Sequence, residues 1–466
     1  EAPWAEPDPL GDRFEVAPES IIDLTSQVGP DGELEWDVPA GNWTIVRTGY
    51  AWNGDQILCA SPGGAGPTMD FLSASAMDFH FQKTAAILIE DAGPLAGKTL
   101  KYFHDDSWEV GLPNWTDSFL DDFRKYRGYD ARPYLPVLAG VVVGSIEISD
   151  RFLYDYRRTV ADCIADNHYA RFARLAHERG VQIHCEGGGP CYPKVPPLNA
   201  LMNLGRTDVP MGEFWQSRHW KEKNQNIAGK QTAAAAHIYG KTFAAAEAFT
   251  KIGPHWEECP ADLKPTADIA FCEGINRFFL HTWTSTRPED GVPGYEYFAG
   301  THFNRNVTWW PQAGAFFTYI SRCQHLLQQG LFVADVCYYN GDNAPNKVEV
   351  KHADPSLGPG YDYDVCNAEV LFNRMEARDG RIVLPDGMSY RLLVLPNRQT
   401  MPVEVLRKIL SLVDAGATVV GPRPVRAPGL EDYPQCDTQV KQLADALGGA
   451  DPGGSALERR YGQGRV

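Results

Sequence analysis

Val181-Gln-Ile-His-Cys185-Glu-Gly-Gly-Gly189 is the stretch that decides the fold class. Its apolar run is short, β-branched at two positions and bounded by glycine, which is typical of a buried strand. It follows a helical pattern that begins at about Phe152 and stops at Gly180, a residue type that commonly ends helices. A helix that leads directly into such a strand indicates a β/α unit of a parallel sheet.

The same alternation recurs on both sides of this stretch. It begins with a helix that Ser73 caps and that continues through Ile89. The other predicted strands are residues 99–103, 208–212, 241–246, 277–281 and 334–339. We therefore expect residues 73–345 to form a distorted (β/α)8-type TIM barrel of the α/β class.

Two further regions are expected beside the barrel. Residues 1–72 contain two alternating runs, Glu33–Pro39 and Trp43–Tyr50, which predict a β-rich segment at the edge of a β-sandwich. Residues 346–466 contain a strand at Tyr390–Leu395, a helix that Pro402 begins and a strand at Ala417–Gly421. This order predicts a doubly wound C-terminal βαβ domain, which we expect to be truncated.

The charge balance of the chain restricts its partners. In 466 residues, 43 Lys and Arg face 60 Asp and Glu, so the formal net charge is −17. This excess of carboxylates argues against nucleic acid and anionic membrane surfaces, because both require clustered cations. The longest apolar run, around Leu135–Ile146, is interrupted by proline and glycine and is too short for membrane insertion.

Four glutamates follow predicted strands directly or within a few residues, namely Glu109, Glu186, Glu213 and Glu247. Catalytic groups of a β/α barrel come from the C-terminal ends of several strands, so this set predicts an acidic active-site mouth. Any one of these glutamates can instead cap a helix or lie in a solvated loop. Four at successive strand ends favour the catalytic interpretation.

Aromatic residues accompany these glutamates. Trp108 adjoins Glu109 and Trp215 is close to Glu213, and apolar surroundings raise the pKa of a carboxyl group that must donate a proton. Sugar rings also stack on exposed indoles, although tryptophans such as Trp283 are equally common in cores. Three histidines near strand ends can contact a ligand or make structural hydrogen bonds: His104, His184 and His281.

Other reaction classes lack their motifs in this sequence. It contains no HExxH or HxH zinc motif and no GxSxG nucleophile motif. Carboxylates beside aromatic residues remain, and glycoside cleavage uses this combination. One carboxylic acid protonates the leaving oxygen, and one carboxylate activates water or attacks the anomeric carbon.

Several motifs resemble a signature of glycoside hydrolase family 106, the α-L-rhamnosidases. The matching stretches are Pro39–Tyr50, Asp106–Glu109, Gly128–Asp130, Tyr134–Pro136, Met211–Trp215, Ala245–Thr250, Asn304–Asn306, Trp309–Trp310 and Arg322–Leu327. The resemblance extends from about residue 36 to the C-terminus. Their number and order make the resemblance fairly specific.

The resemblance implies a distorted barrel with β-sandwich attachments, dependence on Ca²⁺, and hydrolysis with inversion. By its motifs, Glu109 corresponds to the general acid and Glu247 to the general base. Glu213 would lie in the same pocket as a ligand of Ca²⁺ or of the sugar hydroxyls. The substrate-binding residues would be Asp106, Trp108, His184, Glu186, Trp215, His281 and Trp283, with Glu186 also a candidate for the metal.

The expected function is therefore exo-acting removal of terminal α-L-rhamnose from plant or algal polysaccharides or glycosides. Two alternatives stay open, a retaining β-galactosidase-like enzyme and a catalytically silent carbohydrate-binding protein. A separation of only about 5 Å between the two carboxyl groups would favour retention. We expect a periplasmic or extracellular location, without a visible signal peptide, and a longer parent protein, because family members are generally longer.

Overall fold

The computed structural model describes residues 15–57, 60–191, 194–216, 229–348, 353, 355–448 and 458–466. Its helices are α1 (Ala74–Lys83), α2 (Ala85–Ala92), α3 (Phe119–Arg127), α4 (Ile146–Cys163), α5 (Arg171–His177), α6 (Ala200–Arg206), α7 (Gly229–Ile238), α8 (Pro260–Glu273), α9 (Ala313–Leu327), α10 (Ala368–Asn373), α11 (Val403–Asp414) and α12 (Gln435–Leu447). A π-helical segment, Ile164–Ala170, joins α4 to α5. None of the described helices combines the length and the apolar character that crossing a membrane requires.

The strands are short and most belong to parallel sheets. They are β1 (Glu15–Val16), β2 (Tyr102–Asp105), β3 (Val142–Val143), β4 (Gln182–Cys185), β5 (Val209–Trp215), β6 (Ala245–Thr250), β7 (Arg277–Leu280), β8 (Val336–Tyr339), β9 (Tyr363–Cys366), β10 (Glu376–Arg378), β11 (Arg381–Val383), β12 (Ser389–Tyr390), β13 (Leu392–Val394), β14 (Val419–Val420), β15 (Arg460–Tyr461) and β16 (Gly464–Arg465).

Five parallel strands form a curled sheet, half of a barrel, in the order β2-β4-β5-β6-β7. Each of them coincides with or overlaps a strand predicted from the sequence, so the mixed α/β class is confirmed. The closed eight-stranded (β/α)8 barrel is not formed by the described residues. The reason is that β8, predicted as its next strand, pairs with β9 and β13 in a second sheet.

Helix α4 anchors the outer side of the curled sheet. Its first turn is capped by Ser145, whose hydroxyl accepts a hydrogen bond from Ile148 N at 3.1 Å. Its buried face, which includes Phe152, shares one hydrophobic core with Ile183 and Cys185 of β4. The predicted long helix is thus confirmed, although it begins before Phe152 and contains the π-helical segment.

The second sheet has the strand order β14-β13-β8-β9, and all of its pairs are parallel. The predicted βαβ unit is present as β13, α11 and β14, with Leu393 opposite Val419. Helix α11 buries Leu406 and Ile409 against this sheet. Because β8 belongs to it, the second sheet begins before residue 346, where the sequence had placed the boundary.

The N-terminal segment differs from the prediction. Apart from isolated bridges such as Val28 to Leu34, the described residues 17–101 contain no strand. The strands predicted at residues 33–39 and 43–50 are therefore wrong. Val38, Ile45 and Tyr50 are each about 60% exposed, and a strand forms only where a neighbouring strand pairs with its backbone.

Candidate active site

The strands bring the predicted glutamates to one end of the curled sheet. Glu213 and Glu247 lie directly opposite each other on β5 and β6, so their side chains share a face. Glu186 follows β4, and its backbone N–H donates to Asp105 O at 3.0 Å. The sequence had placed Glu213 and Glu247 beyond their strands, whereas the structure has them inside.

Glu186 is the most deeply buried of these carboxylates. It is 1% exposed, and neither of its oxygens has a hydrogen-bond partner among the described residues. Burial raises the pKa of Glu186 well above its ordinary value, and the charges of Glu213 and Glu247 raise it further. Such a group is satisfied by a proton or by a cation.

Glu213 is also buried and interacts with a predicted aromatic partner. The indole N–H of Trp215 donates to its Oε2. Burial raises the pKa of Glu213 to about 8, the charge of Glu247 adds to the increase, and the bond from Trp215 opposes it. The role of Trp215 is thus a hydrogen bond to a carboxylate, and the structure gives its ring no stacking partner among the described residues.

Two neighbouring side chains contact the same carboxylate oxygen of Glu247. Thr250 donates its hydroxyl to Oε1 of Glu247. His281 Nδ1 lies 3.2 Å from the same oxygen, from a position directly after β7. His281 therefore contacts Glu247 itself, in addition to any contact that it makes with a substrate.

Asp106 contacts one of two stacked histidines, His104 and His184. His104 Nε2 lies 3.5 Å from Asp106, and the hydrogen bond from His104 lowers the pKa of that carboxyl group. The rings of His104 and His184 stack at 4.4 Å, and Phe279 stacks on the other face of His184 at 4.9 Å. Burial lowers the pKa of His184 to about 4.

Glu109 lies on an exposed loop after β2. Ser107 Oγ donates to its Oε1 at 2.9 Å. Trp108, predicted to bind substrate beside it, is 4% exposed, packs on Phe71 and donates its indole N–H to Gly111 O at 3.2 Å. A ring that faces the core offers no surface to a sugar, which argues against the predicted role of Trp108.

Three carboxylates could hold a metal ion together. Asp106, Glu186 and Glu247 each offer an oxygen within 4.8 Å of the other two, in the part of the chain that the structure describes. Ca²⁺ prefers oxygen ligands, and the two unpaired oxygens of Glu186 fit that requirement. Glu213, the predicted ligand, is not part of this set.

Comparisons with known proteins agree with this geometry. The family model of the glycoside hydrolase family 106 α-L-rhamnosidases matches residues 4–466. The chain belongs to glycoside hydrolase family 106. Glycosidases generally act with a pair of carboxyl groups, and Glu186, Glu213 and Glu247 bring carboxyl groups to the end of the curled sheet.

The chain spans only part of the length of two similar proteins. The structure of a rhamnosidase from Novosphingobium sp. PP1Y superposes with a TM-score of 0.85 at 32% identity, over 97% of this chain and 43% of that chain. A Formosa agariphila protein with the provisional name beta-glucuronidase is 39% identical over 435 residues, 93% of this chain and 36% of that protein. This family 106 chain therefore spans less than half the length of either relative.

Trp283, the remaining predicted substrate-binding residue, is 56% exposed and packs edge-to-face on Trp310 at 5.5 Å, so much of its indole is open to solvent. A further tryptophan of the chain, Trp220, lies outside the described residues.

Thr250 and Ser107, the hydroxyl partners of Glu247 and Glu109, were not predicted from the sequence. Both lie within the stretches that resemble family 106, and this resemblance was the signal by which they could have been found.

Proposed function

We propose that the protein is an exo-acting α-L-rhamnosidase that hydrolyses terminal α-L-rhamnosides with inversion. The observation that carries the proposal is the cluster of carboxylates at one end of the sheet, in a chain of family 106. Inversion uses one carboxylic acid and one carboxylate on opposite faces of the sugar. Glu109 and Glu247 are the pair that we assign.

Glu109 is the general acid in this proposal. Its carboxyl group lies on an exposed loop, where a leaving group can depart into solvent. The hydrogen bond from Ser107 to Oε1 fixes one oxygen and leaves Oε2 to carry the proton. Glu109 donates this proton to the glycosidic oxygen as the bond to the anomeric carbon breaks.

Glu247 is the general base. It is partly buried inside β6, and one of its oxygens is already hydrogen-bonded. A carboxylate held in this way has little freedom to turn away from a bound water. Glu247 removes the proton of the water that attacks the anomeric carbon, so the configuration at that carbon inverts.

Ca²⁺ fits the oxygens of Asp106 and Glu186, which lie within 4.8 Å of each other and of Glu247, and we propose these two carboxylates as its ligands. When bound, the ion would neutralise the carboxylates and supply a Lewis acid for vicinal sugar hydroxyls. The orphaned oxygens of buried Glu186 support this assignment. The location that we propose is periplasmic or extracellular, where rhamnosylated plant or algal glycans occur.

A second candidate function comes from the Formosa agariphila relative, whose provisional name is beta-glucuronidase. A glucuronide brings a carboxylate of its own to the site. The charges that act on Glu186 there come from four other carboxylates, Asp106, Glu109, Glu213 and Glu247. Like charges at short range repel, so the electrostatics favour a neutral sugar such as rhamnose.

The experiment that tests the proposal measures release of p-nitrophenol from its α-L-rhamnopyranoside and its β-D-glucuronide. The assays use excess Ca²⁺ or EDTA, on the parent chain and on its Glu109→Gln and Glu247→Gln variants. We expect calcium-dependent cleavage of the rhamnoside and a loss of at least about 100-fold in each variant. Preferential cleavage of the glucuronide, or full activity of Glu247→Gln, would refute the assignment.

A further inference from the structure

Strand β6 contains a bulge at Phe249, two residues after Glu247. Its register with β5 skips Phe249, which has a left-handed backbone conformation with φ of 69°. In a regular strand, side chains three residues apart point to opposite faces of the sheet. The extra residue shifts this alternation by one, which brings the hydroxyl of Thr250 to the face of Glu247.

Packing imposes this conformation on Phe249. A left-handed backbone at a bulky residue costs about 1–3 kcal/mol, so it persists only where its surroundings hold it. Phe249 is fully buried, with ring centroids of Phe214 at 5.0 Å and Phe303 at 5.6 Å. Thr301 N donates to Phe249 O at 3.2 Å. The bulge is therefore a fixed element of the fold.

The bulge has a direct consequence for Glu247. The Thr250 hydroxyl donates to Oε1 of Glu247, and His281 Nδ1 lies 3.2 Å from that oxygen and 3.2 Å from Thr250 Oγ1. The backbone of His281 is fixed as well, because Thr301 N donates to His281 O at 2.9 Å. Thr250 at the end of β6 and His281 directly after β7 thus both contact Oε1 of Glu247.

We propose that Thr250 and His281 are positioning residues for the general base. They hold Oε1 of Glu247 so that Oε2 takes the proton of the attacking water. The inference rests on the proposed function. The water oxygen bonds to the anomeric carbon, its proton goes to Oε2, and the glycosidic oxygen leaves with the proton of Glu109.

Orientation matters because the terminal torsion of a glutamate is broad and nearly two-fold. Without its two partners, the carboxylate of Glu247 can rotate or swing away from the water. A displacement of about 1 Å at a reacting group costs about 100-fold in rate. Loss of positioning therefore lowers kcat and leaves substrate binding nearly unchanged.

The test compares isosteric pairs of variants in the full chain. Thr250→Val removes the hydroxyl and keeps the shape, whereas Thr250→Ser keeps the hydroxyl. His281→Asn keeps a nitrogen at the place of Nδ1, whereas His281→Gln keeps one at the place of Nε2. We expect Thr250→Val and His281→Gln to lower kcat about 10- to 100-fold, a typical value for one hydrogen bond to a charged group.

The conservative variants should lose less than about fivefold in kcat, and KM should change less than about threefold throughout. Thr159→Val is the matched control, because this buried threonine on α4 bonds to Arg127 and to Asp155 O. Equal kcat values for Thr250→Val and Thr250→Ser, or a loss confined to KM, would overturn the inference.

A spectroscopic measurement decides the question independently of activity. The ring ¹⁵N shifts of His281, identified by the signal that His281→Asn removes, should show a proton on Nδ1, because Oε1 of Glu247 can only accept. A proton on Nε2 alone would overturn the positioning role even if the enzyme cleaves rhamnosides. If the parent chain is inactive but the proton lies on Nδ1, the proposed function is refuted, whereas the contact between His281 and Glu247 is supported.

Discussion

Glu186 has both of its carboxylate oxygens buried beside Asp106 and Glu247, with no hydrogen-bond partner among the described residues. A buried charge of this kind costs free energy unless a proton or a cation accompanies it. At the scale of single residues, the site is therefore built at the expense of stability. The Ca²⁺ that we propose as a ligand of Glu186 would offset this cost.

The substitution Glu186→Gln tests both the cost of this buried carboxyl group to stability and its proposed binding of Ca²⁺. In EDTA, Glu186→Gln should raise the melting temperature by several degrees, because a neutral amide replaces a group whose ionised form is destabilised in the folded chain by burial and by neighbouring charges. In excess Ca²⁺, the parent chain should be stabilised and the variant much less so. Calorimetry of both proteins with and without Ca²⁺ provides the measurement. A variant with the same calcium-induced shift as the parent would contradict the ligand role of Glu186.

The pKa of Glu213 predicts a pH dependence of stability. Its folded-state pKa is about 8 against an ordinary value of 4.5, so the unfolded chain releases this proton first. The free energy of unfolding should therefore fall as the pH rises from about 4.5 to about 8. Urea unfolding in EDTA across this range measures the slope. Glu213→Gln should make the slope shallower, and an unchanged slope would contradict the raised pKa.

Elements rather than residues determine how the site is assembled. Strands β4 to β7 were predicted from the sequence because each is a short apolar run bounded by turns, and parallel strands place their ends together. The bulge at Phe249 was not predictable, since period-two alternation puts Thr250 on the face opposite Glu247. The contact between Thr250 and Glu247 therefore appears only in three dimensions.

The N-terminal segment shows the complementary limit of sequence patterns. Trp43–Tyr50 alternates as a strand would, yet no strand in the described residues pairs with it. Alternation reports which residues suit a half-buried surface, and a strand also needs a neighbour for its backbone groups. The sequence of this segment therefore has a propensity for strand formation, but the described residues form no strand there.

The turn at Gly300 supports His281 and gives a prediction for this element. Gly300 has φ of 87°, and a Cβ placed there would lie 2.9 Å from the carbonyl carbon, the carbonyl oxygen and Nδ1 of His281. Gly300→Ala should destabilise the fold by about 1–2 kcal/mol and lower kcat more than it changes KM. Urea unfolding and steady-state kinetics measure both effects.

Gly66→Ala is the control, because a Cβ there meets nothing within 4 Å. If Gly300→Ala behaves like this control in kcat, the turn does not position His281.

At the scale of the whole molecule, Arg151 fastens the curled sheet to the C-terminal region. From α4 its guanidinium donates to Asp437 Oδ2 at 2.7 Å and to Ala427 O at 2.8 Å, and it stacks on Tyr433 at 4.7 Å. The side chain is only 4% exposed. Helix α4, which packs on the curled sheet, is thereby joined to α12 and the loop before it.

Arg151→Met should lower the free energy of unfolding by about 3 kcal/mol, because it leaves Asp437 Oδ2 and the carbonyl oxygen of Ala427 without the donor. Arg407→Met is the control, since Arg407 pairs with Glu404 on an exposed face of α11 and should cost less than about 1 kcal/mol. Urea unfolding of both variants gives the comparison. Equal effects would contradict the fastening role of Arg151.

The central claim is that Glu109 and Glu247 act as acid and base in hydrolysis with inversion. Proton NMR of the first sugar released from p-nitrophenyl α-L-rhamnopyranoside, recorded before mutarotation, tests it most directly. Inversion requires that the β anomer of rhamnose appears first and that its signal then decays towards the equilibrium mixture. We expect the signal of the β anomer to appear first when Ca²⁺ is present. Initial release of the α anomer, or no release of rhamnose, would contradict it.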